Sequence, residues 1–146
     1  MARLFKELDH VIGVKEATAN LCQISDIIEY AGKDFILLSG DDFTVLPTLA
    51  VGGQGVISVA SNIAPRAFAD LCAAFFAGDM QKALELHYYL APLCRACFLE
   101  TNPAPVKTAL GILGKMSAEL RLPLVGLRQE NRAELEKVLS GYHFSQ

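Results

Sequence analysis

A chain of 146 residues with 52% apolar and 20% charged side chains has a globular composition, with material for one hydrophobic core. Its 13 basic and 16 acidic residues leave a net charge of -3 and no Lys/Arg block that could neutralise a row of phosphates, which argues against nucleic acid as a partner. Charges at Arg3, Lys6, Glu7, Asp9 and Lys15 break every apolar stretch near the start, and the longest later run, Leu71 to Gly78, is too short to span a bilayer. Neither a signal peptide nor a membrane partner is expected, and cytoplasmic localisation is the default.

Residues Arg3 to Leu8 read as a helix, followed by the run Val11 to Ala17, which is rich in β-branched residues, too short for a helix and therefore a buried strand. From Asn20 the apolar residues Leu21, Ile24, Ile27 and Ile28 adopt helical spacing, which Gly32 ends as a C-terminal cap. Phe35 to Leu38 is a second buried strand. It stops at Ser39-Gly-Asp-Asp42, and Phe43 to Val51 reads as a short helix despite Pro47. Gly52-Gly-Gln-Gly55 then turns the chain into a third strand, Val56 to Val59. Beyond Asn62 the strands cease. Pro65 suits the first turn of a helix running to Phe76, Gly78 closes it, and Asp79 caps a longer helix that Pro92 should kink. Asn102-Pro-Ala-Pro105 opens another helix, about Val106 to Leu113, and a last one covers about Glu130 to Leu139 after the Leu120 to Leu127 loop.

Buried strands separated by helices give βαβα order with right-handed crossovers, hence an α/β fold with a parallel sheet. The organisation is a β/α segment over 1–63 followed by a helical region over 64–146. Three parallel strands alone leave two unpaired edges and an uncovered apolar face. A (β/α)8 barrel takes about 250 residues, so the chain is expected to supply only the last three strands of one, with Met1 leading straight into the helix before the first.

The chain holds 4 cysteines, Cys22, Cys72, Cys94 and Cys97, and lacks the small-core character of a disulfide-stapled domain, so free thiols are expected. Cys94 and Cys97 sit in a helical pattern as small core residues. With no second pair of similar spacing, and with His10, His87 and His143 scattered, no metal site is expected.

Ligands of parallel α/β folds bind beyond the carboxyl ends of the strands, which draws attention to Lys15-Glu16-Ala17, Ser39 to Asp42 and Ser58 to Asn62. A lysine directly after Val-Ile-Gly-Val should be partly desolvated inside a barrel; desolvation lowers its pKa and frees an amine to attack a carbonyl. From this position alone, a lysine snorkelling out of a strand end is the simpler reading. Ser39-Gly-Asp-Asp42 is either a carboxylate pair for acid/base or metal work or, more simply, an N-cap for the next helix, with Gly40 allowing a ligand near the backbone. Gly52, Gly53 and Gly55 precede a strand rather than opening a helix, so they are turn residues and not a phosphate loop.

Gly13-Val-Lys-Glu-Ala17 with Asn20-Leu21, then Leu37 to Asp42, Gly52 to Val59 and Glu100 to Lys107 together resemble the dihydrodipicolinate synthase family over essentially the whole chain. Sialic acid lyases share the strand lysine but usually differ in the residues after it and in the Ser-Gly-Asp-Asp turn. The resemblance implies strands six to eight of a TIM barrel and its helical tail. It implies that Lys15 adds to the ketone of pyruvate, that the imine tautomerises to an enamine, and that this carbon attacks aspartate semialdehyde to give 4-hydroxy-tetrahydrodipicolinate, a step toward diaminopimelate and lysine. No cofactor is implied beyond the covalent pyruvate imine on Lys15. It also places the backbone of Ile57 beside pyruvate and Gly40 with Asp41 near the entrance of the second substrate. The family's proton-relay threonine and tyrosines, its carboxylate-binding arginine and its lysine-feedback site lie before the lysine, outside this sequence, so the chain alone is expected to have little or no turnover. Expected partners are another copy in a homo-oligomer or the absent N-terminal half. The alternatives are a non-catalytic oligomerising fragment or another pyruvate-dependent aldolase.

Overall fold

Strands and helices alternate over the first 58 residues much as the periodicities predict. The elements are α1 (Ala2–Glu7), β1 (Gly13–Glu16), α2 (Leu21–Ala31), β2 (Ile36–Ser39), α3 (Val45–Ala50) and β3 (Gly55–Val56). A 3-10 turn, Ala60–Asn62, follows, then α4 (Pro65–Phe76), α5 (Met80–Ala96), α6 (Ala104–Ile112) and α7 (Gln129–Ser140). This computed structural model describes residues 1–142; residues 143–146 of the expected helical region, His143 among them, lie outside the described residues. The chain forms two compact units, Met1–Ser58 with Leu71–Leu84, and Val59–Asp70 with the chain from Glu85 onward.

In the first unit the three strands form a parallel sheet in the order β1-β2-β3, with Lys15 opposite Leu38, Glu16 opposite Ser39, and Ser39 opposite Val56. The crossover helix α2 starts where its sequence says it should. The Asn20 side chain accepts from the N–H groups of Cys22 and Gln23 at 3.0 and 3.2 Å, satisfying donors that a helix start leaves orphaned. Gly32 ends it at a φ of 92°, a backbone region closed to most L-residues, while its N–H still bonds the carbonyl of Ile28. Ile24, Phe35, Leu37, Val45, Leu46 and Leu49 are buried and make up the core of this unit's β/α part.

The third strand is shorter than the sequence reading gave it: it covers Gly55–Val56, not Val56 to Val59. Gln54 N–H donates to Leu37 O and Ile57 N–H to Ser39 O, each at 2.8 Å, so the ladder reaches as far as β2 offers carbonyls. Beyond Ile57 the chain coils into the 3-10 turn, because the β2 chain has already turned away at Gly40 and offers no further rungs. The short helix after β2 likewise begins later than expected, at Val45 instead of Phe43.

The second unit is helical. Cys94 and Cys97 are buried there as apolar core residues, with Leu90, Leu93, Leu135 and Leu139. α5 contains Pro92, whose ring cannot accommodate regular helix. The hydroxyl of Tyr142 donates to the carbonyl of Tyr89 at 2.5 Å and accepts from the N–H of Leu93 at 3.2 Å. Those two groups are the pair an unbroken helix would join to each other, so Tyr142 splints α5 at the proline. Burial pushes the Tyr142 phenol above its ordinary pKa. The start of α7 is fixed from outside the helix. Glu100 Oε1 accepts from Asn131 Nδ2 at 2.8 Å and from the Arg128 N–H at 2.9 Å, bonds that hold its carboxyl below the usual range.

Candidate functional site

Side chains on a strand alternate between faces, and β1 and β2 run in register, so two consecutive residues of β1 meet different surroundings. Glu16, Leu37 and Ser39 share the face turned toward the packed interior, and all three are buried. Gly13, Lys15, Ile36 and Leu38 share the other. This second face is open: Lys15 is exposed and Ile36 is 36% exposed. With His10, Val11, Ile12 and Val14 these residues line a hollow of about 520 Å³.

Lys15 stands at the carboxyl end of β1, where the sequence reading put it. The partial desolvation expected of it is not supplied by this chain, because nothing covers the open face of the sheet among the described residues. Among those residues its ammonium makes no hydrogen bond or ion pair. The lysine stem leans along the strand direction and passes over Gly40. A Cβ built on Gly40 would fall 2.7 Å from Lys15 Cε and 2.9 Å from Cγ. Lys15 and Gly40 are therefore in contact, one from each of two neighbouring strand ends.

The backbone at this corner is tied from both sides. Gly40 N–H donates to Glu16 O at 2.6 Å, and Ile57 N–H donates to Ser39 O, which places Ile57 beside the end of β2 with its side chain 48% exposed. The Glu16 carboxylate, on the buried face, accepts from Thr18 N–H and from Gln23 Nε2, both at 3.0 Å, and so anchors the turn that follows Lys15. That turn carries a non-glycine residue at positive φ, Ala19 at 59°.

Asp41 takes a different part from the other predicted site residues. Its Oδ2 accepts from the N–H and Oγ1 of Thr44 at 2.9 and 2.8 Å, and Ser39 Oγ donates to its carbonyl at 2.8 Å. The carboxylate holds the turn before α3 instead of capping the helix itself, since the N-cap position belongs to Thr44. Asp42 is buried. At this corner Lys15 lies against Gly40, the Ile57 N–H bonds the end of β2 from the β3 side, and the Asp41 side chain is engaged in the turn.

Sequence reading named Ala17 and Leu38 within its motifs but gave neither a place at the site: Ala17 Cβ would lie 2.7 Å from a Cβ at position 40, and Leu38 is the cross-strand partner of Lys15. The place of Leu38 opposite Lys15 depends on the register of two strands; the contact of Ala17 with position 40 carried no signal, because contacts across a strand-end turn depend on side-chain direction, not on spacing.

Residues 1–142 match the model of the dihydrodipicolinate synthetase family. A 4-hydroxy-tetrahydrodipicolinate synthase of Nitratidesulfovibrio vulgaris is 58% identical over 140 residues, which are 96% of this chain and 48% of that protein. A solved dihydrodipicolinate synthase of Aquifex aeolicus superposes with a TM-score of 0.95 at 45% identity, over 97% of this chain and 48% of that one. That of Thermotoga maritima gives 0.93 at 42% identity, over 96% and 48%. The chain spans about half the length of the relatives it matches.

Proposed function

Because the chain belongs to the dihydrodipicolinate synthetase family, we propose that it carries the imine-forming part of a 4-hydroxy-tetrahydrodipicolinate synthase, a lyase of lysine and diaminopimelate synthesis, as the last three β/α units of a (β/α)8 barrel and its helical tail. Lys15 is the nucleophile. Its neutral amine adds to the C2 ketone of pyruvate, water leaves, and the protonated imine drains charge from the methyl group, which loses a proton to become an enamine carbon. That carbon attacks the aldehyde of aspartate semialdehyde, and cyclisation through the substrate amine frees Lys15. The imine is the electron sink, so no separate cofactor enters. In this reading the Ile57 backbone lies beside bound pyruvate, and Gly40 and Asp41 border the second substrate's entrance.

The observation that carries the reading is the placement of Lys15. It stands at the carboxyl end of a parallel strand, opens onto an apolar hollow and has no charge or hydrogen-bond partner among the described residues. Incubation with pyruvate and borohydride, followed by digestion and mass spectrometry, is expected to find one reduced pyruvate on Lys15 and none in Lys15→Ala. Absence of an adduct at Lys15 overturns the assignment. Steady-state turnover by the chain alone is expected to be near zero. In this reading the groups that relay protons and hold the second substrate's carboxylate fall in the half of the relatives that the chain does not span.

The exposed Ile12, Ile36 and Ile57, with β1 and β3 as unpaired sheet edges, favour association. The partner is a second copy of this chain or a polypeptide resembling the unmatched half of the relatives. Light scattering tests this, and a well-behaved monomer on its own contradicts it.

A further inference from the structure

We propose that Gly40 is a positioning residue for Lys15: the absence of a side chain at the end of β2 gives the lysine stem its path and so sets where its amine sits. The inference rests on Lys15 being the imine-forming amine.

Glycine at this position is not required by a positive φ, because Gly40 is not among the glycines that adopt one. What the position lacks is room. A Cβ there would lie 2.7 Å from Lys15 Cε, 2.9 Å from Lys15 Cγ and 2.7 Å from Ala17 Cβ. Aliphatic carbons in contact sit about 3.5–4.0 Å apart, so each approach is roughly 1 Å too close. The backbone cannot yield to relieve it, since Gly40 N–H is bonded to Glu16 O at 2.6 Å and the next residue is held by Ser39 and Thr44. Ala17 cannot yield either, because its Cβ is fixed to the end of β1 just beyond the buried and doubly bonded Glu16. The lysine stem is the movable party. A displacement of about 1 Å in a reacting group can cost on the order of 100-fold in rate, so a methyl at position 40 acts on the chemistry through the trajectory of Lys15.

The contact with Ala17 would by itself destabilise Gly40→Ala, which makes the double variant A17G/G40A the decisive one, since it removes the clash with the turn and keeps the clash with the lysine. Borohydride trapping is followed against pyruvate concentration in wild type, G40A and A17G/G40A, with rates normalised to the folded fraction from circular dichroism. The expected result is a melting temperature that drops in G40A and largely recovers in A17G/G40A. The maximal trapping rate at Lys15 stays about 10- to 100-fold below wild type in both, and acetylation of Lys15 by acetic anhydride, which needs no fixed geometry, is unchanged. A structural role alone would restore trapping along with the melting temperature. Trapping by folded A17G/G40A within about twofold of wild type overturns the proposal while leaving Lys15 as the nucleophile. A double variant that does not recover stability overturns it as well, because the lysine stem was then not the movable party. If wild type itself gives no adduct at Lys15, the proposed function fails first and this inference with it.

Discussion

The two faces of the small parallel sheet differ in what one residue step does. Glu16 is 5% exposed and bonded to the following turn and helix, whereas its neighbour Lys15 is exposed on the opposite face with Ile36 and Leu38. One face is turned to the packed interior, with Glu16, Leu37 and Ser39 buried. The other is an apolar surface with a single amine on it. The difference teaches that burial and exposure are divided across the same strand: one face ties the backbone to the following turn and helix, and the other presents a side chain.

The largest expected effect separates the faces directly. Leu37→Ala, at a fully buried position, should cost about 2–5 kcal/mol, and Ile36→Ala, one residue away on the open face, within about 0.5 kcal/mol, both read by urea denaturation. Equal costs would mean that the open face is packed too, by association. Next in size is Glu16→Ala, which strips the acceptor from Thr18 N–H and Gln23 Nε2 and should cost about 1–3 kcal/mol while leaving Lys15 chemically intact. If the stability change comes without slower borohydride trapping, the buried face does not steady the open one. The smallest effect has the opposite sign. Ala19→Gly relieves a positive φ in the turn joining β1 to α2 and should raise stability by roughly 0.5–1 kcal/mol, net of the added freedom of the unfolded chain. A lower melting temperature would show that the methyl packs.

Much of this contrast was written in the sequence. Short apolar runs too brief for a helix placed β1 and β2, Asn20 and Gly32 bounded α2, and Pro65 opened α4, because caps and glycine turns act locally. The position of Lys15 at a strand end followed from the same reading, and the chemistry proposed for it rests on the motifs around it. The early end of β3 was not legible, because a strand lasts only as long as its neighbour supplies carbonyls, and β2 turns away at Gly40. Nor was the exposure of Lys15, which depends on what covers a face and not on the strand that forms it. The engagement of Asp41 with Thr44 was half legible, as a capping preference, but which N–H it would reach was a matter of where α3 starts.

The splint at Pro92 has its own consequence. The groups bridged by the Tyr142 hydroxyl lie 49 and 53 residues before it in sequence, so α5, the longest helix among the described residues, is not a local structure. Its C-terminal half can be completed only after the chain through α7 has docked, which makes its hydrogen-exchange protection a reporter of the tail. Tyr142→Phe should weaken protection at Leu93 by about tenfold with little change at Ala83. The same contact sets an alkaline limit. A phenol whose pKa is raised in the folded state contributes its full stability below its ordinary value and loses it as pH rises through the folded one, and the phenolate can no longer donate to Tyr89. In strong base, then, the helix should come apart first at the proline, in its C-terminal part, while its start at Met80 holds.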